Sequence, residues 1–184
     1  MSRNEHSEAS PQGTGVAVGD LAIDARSLTR EDFEDRHGSA FLMVGGIDLV
    51  APDGPGATVV EMDFVDTPEL PTTTFKPHVH PIQRTGRSVG HLVSVGRTSN
   101  NDIVIPDVSV SRFHAFLKQG HGDELSIQDA GSTNGTSVNG RPVPVQGEGV
   151  PVTLKSGDRV RIGHIDLTFL EAELLIRLLR DSKR

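Results

Sequence analysis

Cysteine, tryptophan and tyrosine are all absent from the 184 residues, and aromatic residues amount to 4%, seven phenylalanines. Without cysteine there are no disulfides, no thiolate nucleophile and no cysteine-based zinc site, and the composition suits a reducing compartment. No apolar run approaches membrane-spanning length, and the first residues, Met1-Ser2-Arg3-Asn4-Glu5-His6, lead into polar sequence with no apolar secretion core. A soluble cytoplasmic protein is expected, with no membrane association. Excess positive charge is missing as well, since the net charge is -7. Residues 1–85 hold 14 acidic against 6 basic residues, and residues 86–170 hold eight of each. With no basic stripe to neutralise a phosphate track, nucleic acid is not an expected partner.

The hydrophobic fraction of 35% is low for a fully packed chain, so one aliphatic core and some poorly packed sequence are expected. Residues 1–26 read as a disordered tail and residues 27–85 as an accessory segment. In that segment Thr29 stands as an N-cap before Arg30-Glu31-Asp32-Phe33-Glu34-Asp35, which predicts a short helix to about His37, stopped by Gly38. Phe41–Val44 and Thr58–Val65 read as two strands around a Gly/Pro/Asp-rich turn region, and Pro68, Pro71, Pro77 and Pro81 mark the following stretch as extended connection.

From residue 86 to 170 short β-branched runs alternate with turn signals: Leu92–Val95, Ile103–Ile105, Ala115–Leu117, Leu125–Ile127, Thr136–Val138, Val152–Leu154, Arg159–Ile162 and Ile165–Phe169. That spacing predicts an all-β sandwich, with Asn139-Gly140 as a type I′ hairpin turn. The stretch from Leu170 to Arg180 regains helical period and predicts a short C-terminal helix, within residues 171–184, packed on the sandwich.

The chemistry lies in the loops. Arg97 and Arg112 offer planar guanidinium forks, Ser111 a hydroxyl, and Thr133-Asn134 a hydroxyl and an amide in a tight turn, a set suited to a phosphate ester and unlike a reaction centre. Gly96-Arg97, then Ser111-Arg112-x-His114, then Asn134-Gly135-Thr136 with Asn139-Gly140, resemble in order and spacing the signature elements of the forkhead-associated (FHA) domain family. The resemblance implies an FHA-type sandwich of about eleven strands, here with a small N-terminal α+β extension. It also implies a non-catalytic function: binding of a phosphothreonine-containing protein or peptide, a Ser/Thr kinase or its substrate, without a cofactor. On the family's pattern Arg97, Ser111, Arg112, Thr133 and Asn134 contact the phosphopeptide. Ser109 and Ser132 touch flanking residues, and Gly96, His114 and Gly135 support the loops.

Two competing readings stay open at this point. His78 and His80, on alternate positions, with His91 as a third ligand, suggest a metal-dependent hydrolase that uses the FHA domain for targeting. A scaffold that binds unphosphorylated protein is the other. Thr67 and Thr72 to Thr74 are candidate phosphosites that the chain itself could recognise.

Overall fold

The computed structural model describes residues 15–44, 78–85, 91–120 and 124–181. In chain order these form β1 (Val16–Ala17), α1 (Val18–Ser27), α2 (Arg30–His37), β2 (Ala40–Val44), β3 (His78–Pro81), β4 (Leu92–Gly96) and β5 (Ile103–Val104). There follow β6 (Ala115–Gln119), β7 (Leu125–Asp129), β8 (Thr136–Val138), β9 (Arg141–Pro142), β10 (Val152–Leu154), β11 (Arg159–Ile162), β12 (Ile165–Glu171) and α3 (Ala172–Asp181). The twelve strands make two sheets, one ordered β1-β3-β2-β12-β11-β8-β9 and the other β10-β7-β6-β4-β5. The expected all-β sandwich is borne out, and all eight strands expected beyond residue 86 are present.

Alternation along the strands explains why the sheets stack. Val93 and Val95 on β4, Ala115 and Leu117 on β6, Leu125 and Ile127 on β7, Val160 and Ile162 on β11, and Leu167 and Phe169 on β12 all enter one buried cluster. With a period of two, each of these strands turns its alternate residues to the opposite face, which on β12 is covered as well, with Thr168 and Leu170 fully buried. Strand β2 is an unbroken apolar run. Its Leu42 faces the sandwich core, while Phe41 and Met43 enter a second cluster with Leu21, Phe33, Val79, Leu170 and the buried side of α3. A strand covered on both faces has no need of polar positions.

That second cluster corrects two expectations. The segment read as a disordered tail is structured from Val16, because β1 adds to β3 and α1 buries Leu21 and Ala25 completely. The stretch read as extended connection contains β3, which pairs with β2. Ile82 N–H donates to Ala40 O at 2.8 Å, so Phe41 and Pro81 face each other at a position of the ladder that exchanges no hydrogen bonds. The missing donor of Pro81 therefore costs this pairing nothing. Since β2 and β3 belong to the larger sheet, the boundary drawn at residue 86 falls inside the sandwich. Residues 58–65, expected as a strand, and Thr67 and Thr72 to Thr74 lie outside the described residues.

The helices are tied at their ends. Thr29 Oγ1 accepts from Asp32 N–H at 3.2 Å, and Gly38, at φ 97°, donates its N–H to Glu34 O. Asp24 on α1 accepts from Arg36 (3.1 Å) and His37 (2.7 Å) on α2, and the bonds from His37 and then Arg36 hold its carboxyl below the ordinary range. Helices α1 and α3 exchange arginines. Arg26 donates to Leu179 O (3.3 Å), and Arg180 donates to Ala25 O (2.6 Å) and Leu28 O (3.1 Å). Each helix thereby supplies a cation and donors to the other's C-terminal carbonyls. Among the described residues no helix is long and apolar enough to cross a membrane.

Arg180→Ala should lower unfolding free energy by about 1–2 kcal/mol in urea titration, since hydrogen bonds to a charged donor contribute this much where water competes. His80, buried on β3, should give stability a pH dependence. Burial, with a smaller effect of His78, lowers its pKa to about 4. The unfolded chain therefore takes up this proton first, so the stabilisation is complete above about pH 6.5 and falls by up to about 1.4 kcal/mol per unit on going down toward pH 4. His80→Gln should flatten that slope in a series of urea titrations.

Candidate functional site

Four loops meet at one end of the sandwich: 97–102 between β4 and β5, 105–114 between β5 and β6, 130–135 between β7 and β8, and the Gly163-His164 turn between β11 and β12. Backbone bonds close them on one another. Arg97 N–H donates to Ser111 O (3.0 Å), Ala130 N–H to His114 O (2.9 Å) and Gly163 N–H to Gly135 O (3.1 Å). All five residues singled out as phosphopeptide contacts lie in the first three loops. Arg97 and Asn134, 37 positions apart in the chain, share this rim because strand ends do.

Arg97 and Arg112 are exposed, and among the described residues neither guanidinium is paired with a carboxylate. Their backbones are held firmly. Arg112 O accepts from Thr98 Oγ1 (2.9 Å) and from Asn101 Nδ2 (2.7 Å), and Asn101 Nδ2 also donates to Thr98 O (2.9 Å). Asn101 is 1% exposed, and this staple fixes the chain at Arg97 against the chain at Arg112. Gly96 lies at the closest approach, because a Cβ there would stand 2.4 Å from Arg112 O and 2.7 Å from Asn101 Nδ2.

Ser111 Oγ accepts from Thr133 N–H at 3.1 Å and lies 3.4 Å from Thr133 Oγ1, which sets the two hydroxyls side by side. His114 holds this pair from behind. Its Nδ1 accepts from Ser111 N–H (2.9 Å), so the ring proton sits on Nε2, which donates to Gly135 O (3.1 Å). Burial lowers the pKa of His114, outweighing the Gly135 bond and Asp129, and keeps the ring in this neutral state.

The 130–135 loop is gathered on the buried carboxylate of Asp129. Oδ1 accepts from Gly131 N–H and Ser132 N–H, each at 2.8 Å, and Oδ2 from Ser132 Oγ (2.7 Å) and Thr136 Oγ1 (2.6 Å). Burial alone would raise its pKa, but the bonds from Thr136, Ser132 and Gly131 outweigh it and hold the carboxyl below its usual value.

The hydroxyls of Ser109 and Ser132, expected to touch flanking residues, are engaged by partners within the loops. Ser109 is 7% exposed; its hydroxyl donates to Asp107 (2.5 Å) and accepts from His164 N–H (2.9 Å), and its carbonyl accepts from Asn134 Nδ2 (2.8 Å). The Ser132 hydroxyl donates to Asp129 and accepts from Gly135 N–H (3.0 Å). Ser109 thus ties its loop to the 130–135 loop and to the Gly163-His164 turn, while Ser132 closes its own loop. Asn101, Thr98, Asp107, Asp129 and the Gly163-His164 turn are site residues that sequence reasoning missed. The only available signal was the polar pair Asn101-Asp102 opening an apolar strand. Asp102 is a further buried anchor, accepting from Ser94 N–H, Ser94 Oγ and Thr85.

The histidines of the hydrolase reading do not form a metal centre. Among the described residues no group of three or more His, Cys, Asp or Glu side chains could hold an ion. His80 is buried on β3, and His91 is exposed beside Arg84.

A model of the FHA domain matches residues 93–163. The chain is 30% identical over 161 residues to the oxoglutarate dehydrogenase inhibitor of Corynebacterium diphtheriae, a match covering 83% of this chain and 92% of that protein. The chain belongs to the FHA domain family. It is also 43% identical over 77 residues to the glycogen accumulation regulator GarA of Mycolicibacterium smegmatis, covering 42% of this chain and 44% of that one. A third relative, an ABC transporter ATP-binding/permease protein of Mycobacterium tuberculosis, is 44% identical over 100 residues. That match covers 52% of this chain and only 11% of the transporter. The matched FHA segment begins after β3, whereas the folded unit of this chain draws β1, β2, β3 and three helices around it.

Gly96→Ala tests the staple directly. The added methyl meets backbone, which yields less readily than a side-chain end, so destabilisation of about 1–3 kcal/mol is expected. The readout is thermal unfolding, together with perturbed amide resonances at Arg97 and Arg112.

Proposed function

We propose that this FHA protein is a non-catalytic, cytoplasmic adaptor that binds a phosphothreonine-bearing partner, a Ser/Thr kinase or one of its substrates. The observation that carries this reading is the pairing of two exposed guanidiniums, free of carboxylates among the described residues, with the adjoining hydroxyls of Ser111 and Thr133 on one braced rim. Guanidinium forks suit a phosphate group, and the hydroxyls add donors to its oxygens. Asn134, exposed beside them, would hold the partner's backbone through its amide oxygen, since its NH2 group is engaged with Ser109. The names borne by two relatives, a dehydrogenase inhibitor and a regulator of glycogen accumulation, support a regulatory rather than a catalytic role and point to a metabolic enzyme as a class of partner.

The chemistry argues for strict dependence on phosphate. Each hydrogen bond to a charged group contributes about 1.5–3 kcal/mol, and an unphosphorylated threonine forgoes several of them together. Arg97→Ala should therefore abolish measurable phosphopeptide binding in calorimetry while leaving the melting temperature close to that of the unsubstituted chain. Equal affinity for phosphorylated and unphosphorylated peptides would instead favour the scaffold reading.

A further inference from the structure

Two Asn-Gly pairs lie on the described loops, Asn134-Gly135 in the site and Asn139-Gly140 in the β8–β9 turn. Asparagine is a thermolabile residue, and glycine after it leaves the following backbone nitrogen without a shielding side chain. In this setting the Gly135 nitrogen gives its proton to a solvent base and attacks Asn134 Cγ. A C–N bond forms, the Cγ–Nδ2 bond breaks, and Nδ2 leaves as ammonia. Water then opens the resulting succinimide at either carbonyl to aspartate or isoaspartate, with no oxidant or reductant involved.

The folded loop restrains both reacting groups. Gly135 N–H donates to Ser132 Oγ at 3.0 Å, which occupies the nucleophile, and Ser132 Oγ is itself anchored on Asp129. Asn134 Nδ2 donates to Ser109 O at 2.8 Å, which fixes the amide under attack. Gly135 O is bound by His114 and Gly163, so the peptide plane cannot turn freely toward Cγ. Asn139 is restrained by other partners, Asp158 and the Arg159 N–H, and does not depend on Ser132.

We propose that Asn134 is a deamidation site and that Ser132 protects it by tying down the Gly135 nitrogen. Conversion places a carboxylate on the rim beside Ser111 and Thr133, where it repels a phosphate, and so switches recognition off irreversibly. This last consequence rests on the phosphate-site reading; the chemistry at Asn134 does not.

The test is to incubate the full chain at mildly alkaline pH as unsubstituted protein, folded and in urea, and as the variants Ser132→Ala and Ser132→Thr. Fragmentation mass spectrometry then follows conversion at Asn134 and Asn139 separately. The expected result is slow conversion at Asn134 in the folded chain, several-fold faster conversion in Ser132→Ala with Asn139 unchanged, and a slow rate retained in Ser132→Thr, which keeps the hydroxyl. Equal rates at Asn134 in folded and urea-unfolded protein would overturn the proposal even if Ser132→Ala fails to fold, and so would a Ser132→Thr rate matching that of Ser132→Ala. Converted protein, and Asn134→Asp, should lose at least about tenfold in affinity for a phosphothreonine peptide. Undiminished binding by converted protein overturns the switch. Fresh protein that ignores phosphate sinks the phosphate-site reading and leaves the protection by Ser132 standing.

Discussion

The neutral imidazole of His114 is the contact through which the recognition rim holds together. It accepts from the backbone of Ser111 with one nitrogen and donates to the backbone of Gly135, 21 residues beyond His114, with the other, so a single buried ring spans two loops. A protonated ring would present a second N–H to the Ser111 N–H, donor against donor, and the bridge requires the neutral tautomer that burial enforces. The Asp129 carboxylate then orders the loop on one side, and the Asn101 amide orders the chain on the other. In front, the exposed guanidiniums of Arg97 and Arg112 have no carboxylate partner among the described residues, while Ser111, Thr133 and Asn134 are held by bonds within the rim. This division suits a binding site: rigid polar networks behind, two uncommitted cations in front.

The sandwich provides the frame on which those networks can be rigid. Its core is aliphatic, with Phe169 as its one aromatic ring among the buried members, and the remaining buried phenylalanines work elsewhere. Phe33 and Phe41 lie 6.2 Å apart under the helices, and Phe116 stacks with Phe113 on the outer face of the smaller sheet. The helical layer matters because β2, the strand it covers, pairs with β12, whose first residues adjoin the Gly163-His164 turn. Order in the helical layer and order at the rim are thus carried by the same sheet.

Much of this was legible in one dimension. Thr29, Gly38 and the acids between them predicted α2, because capping is local chemistry. Asn139-Gly140 predicted a turn with both residues at positive φ, and the observed values are 51° and 76°. The strands after residue 86 were legible from their alternation, and the rim residues from their order and spacing. The first helix escaped notice. Its apolar content is thin, and only contact with α3 and β2 makes Leu21 and Ala25 worth burying.

By itself, then, the sequence determined the fold class, the turn chemistry and the set of polar side chains that gather on the rim, all of which depend on neighbours in the chain or on a motif carried along it. Tertiary structure alone decided that β1, β2 and β3 complete the larger sheet, that Ser109 ties loops together and Ser132 closes its own, and that Asn101 and Asp129 hold the rim. Those assignments turn on which hydrogen-bond partner a polar side chain finds once distant loops converge, and a hydroxyl or a carboxylate carries no local mark of that partner.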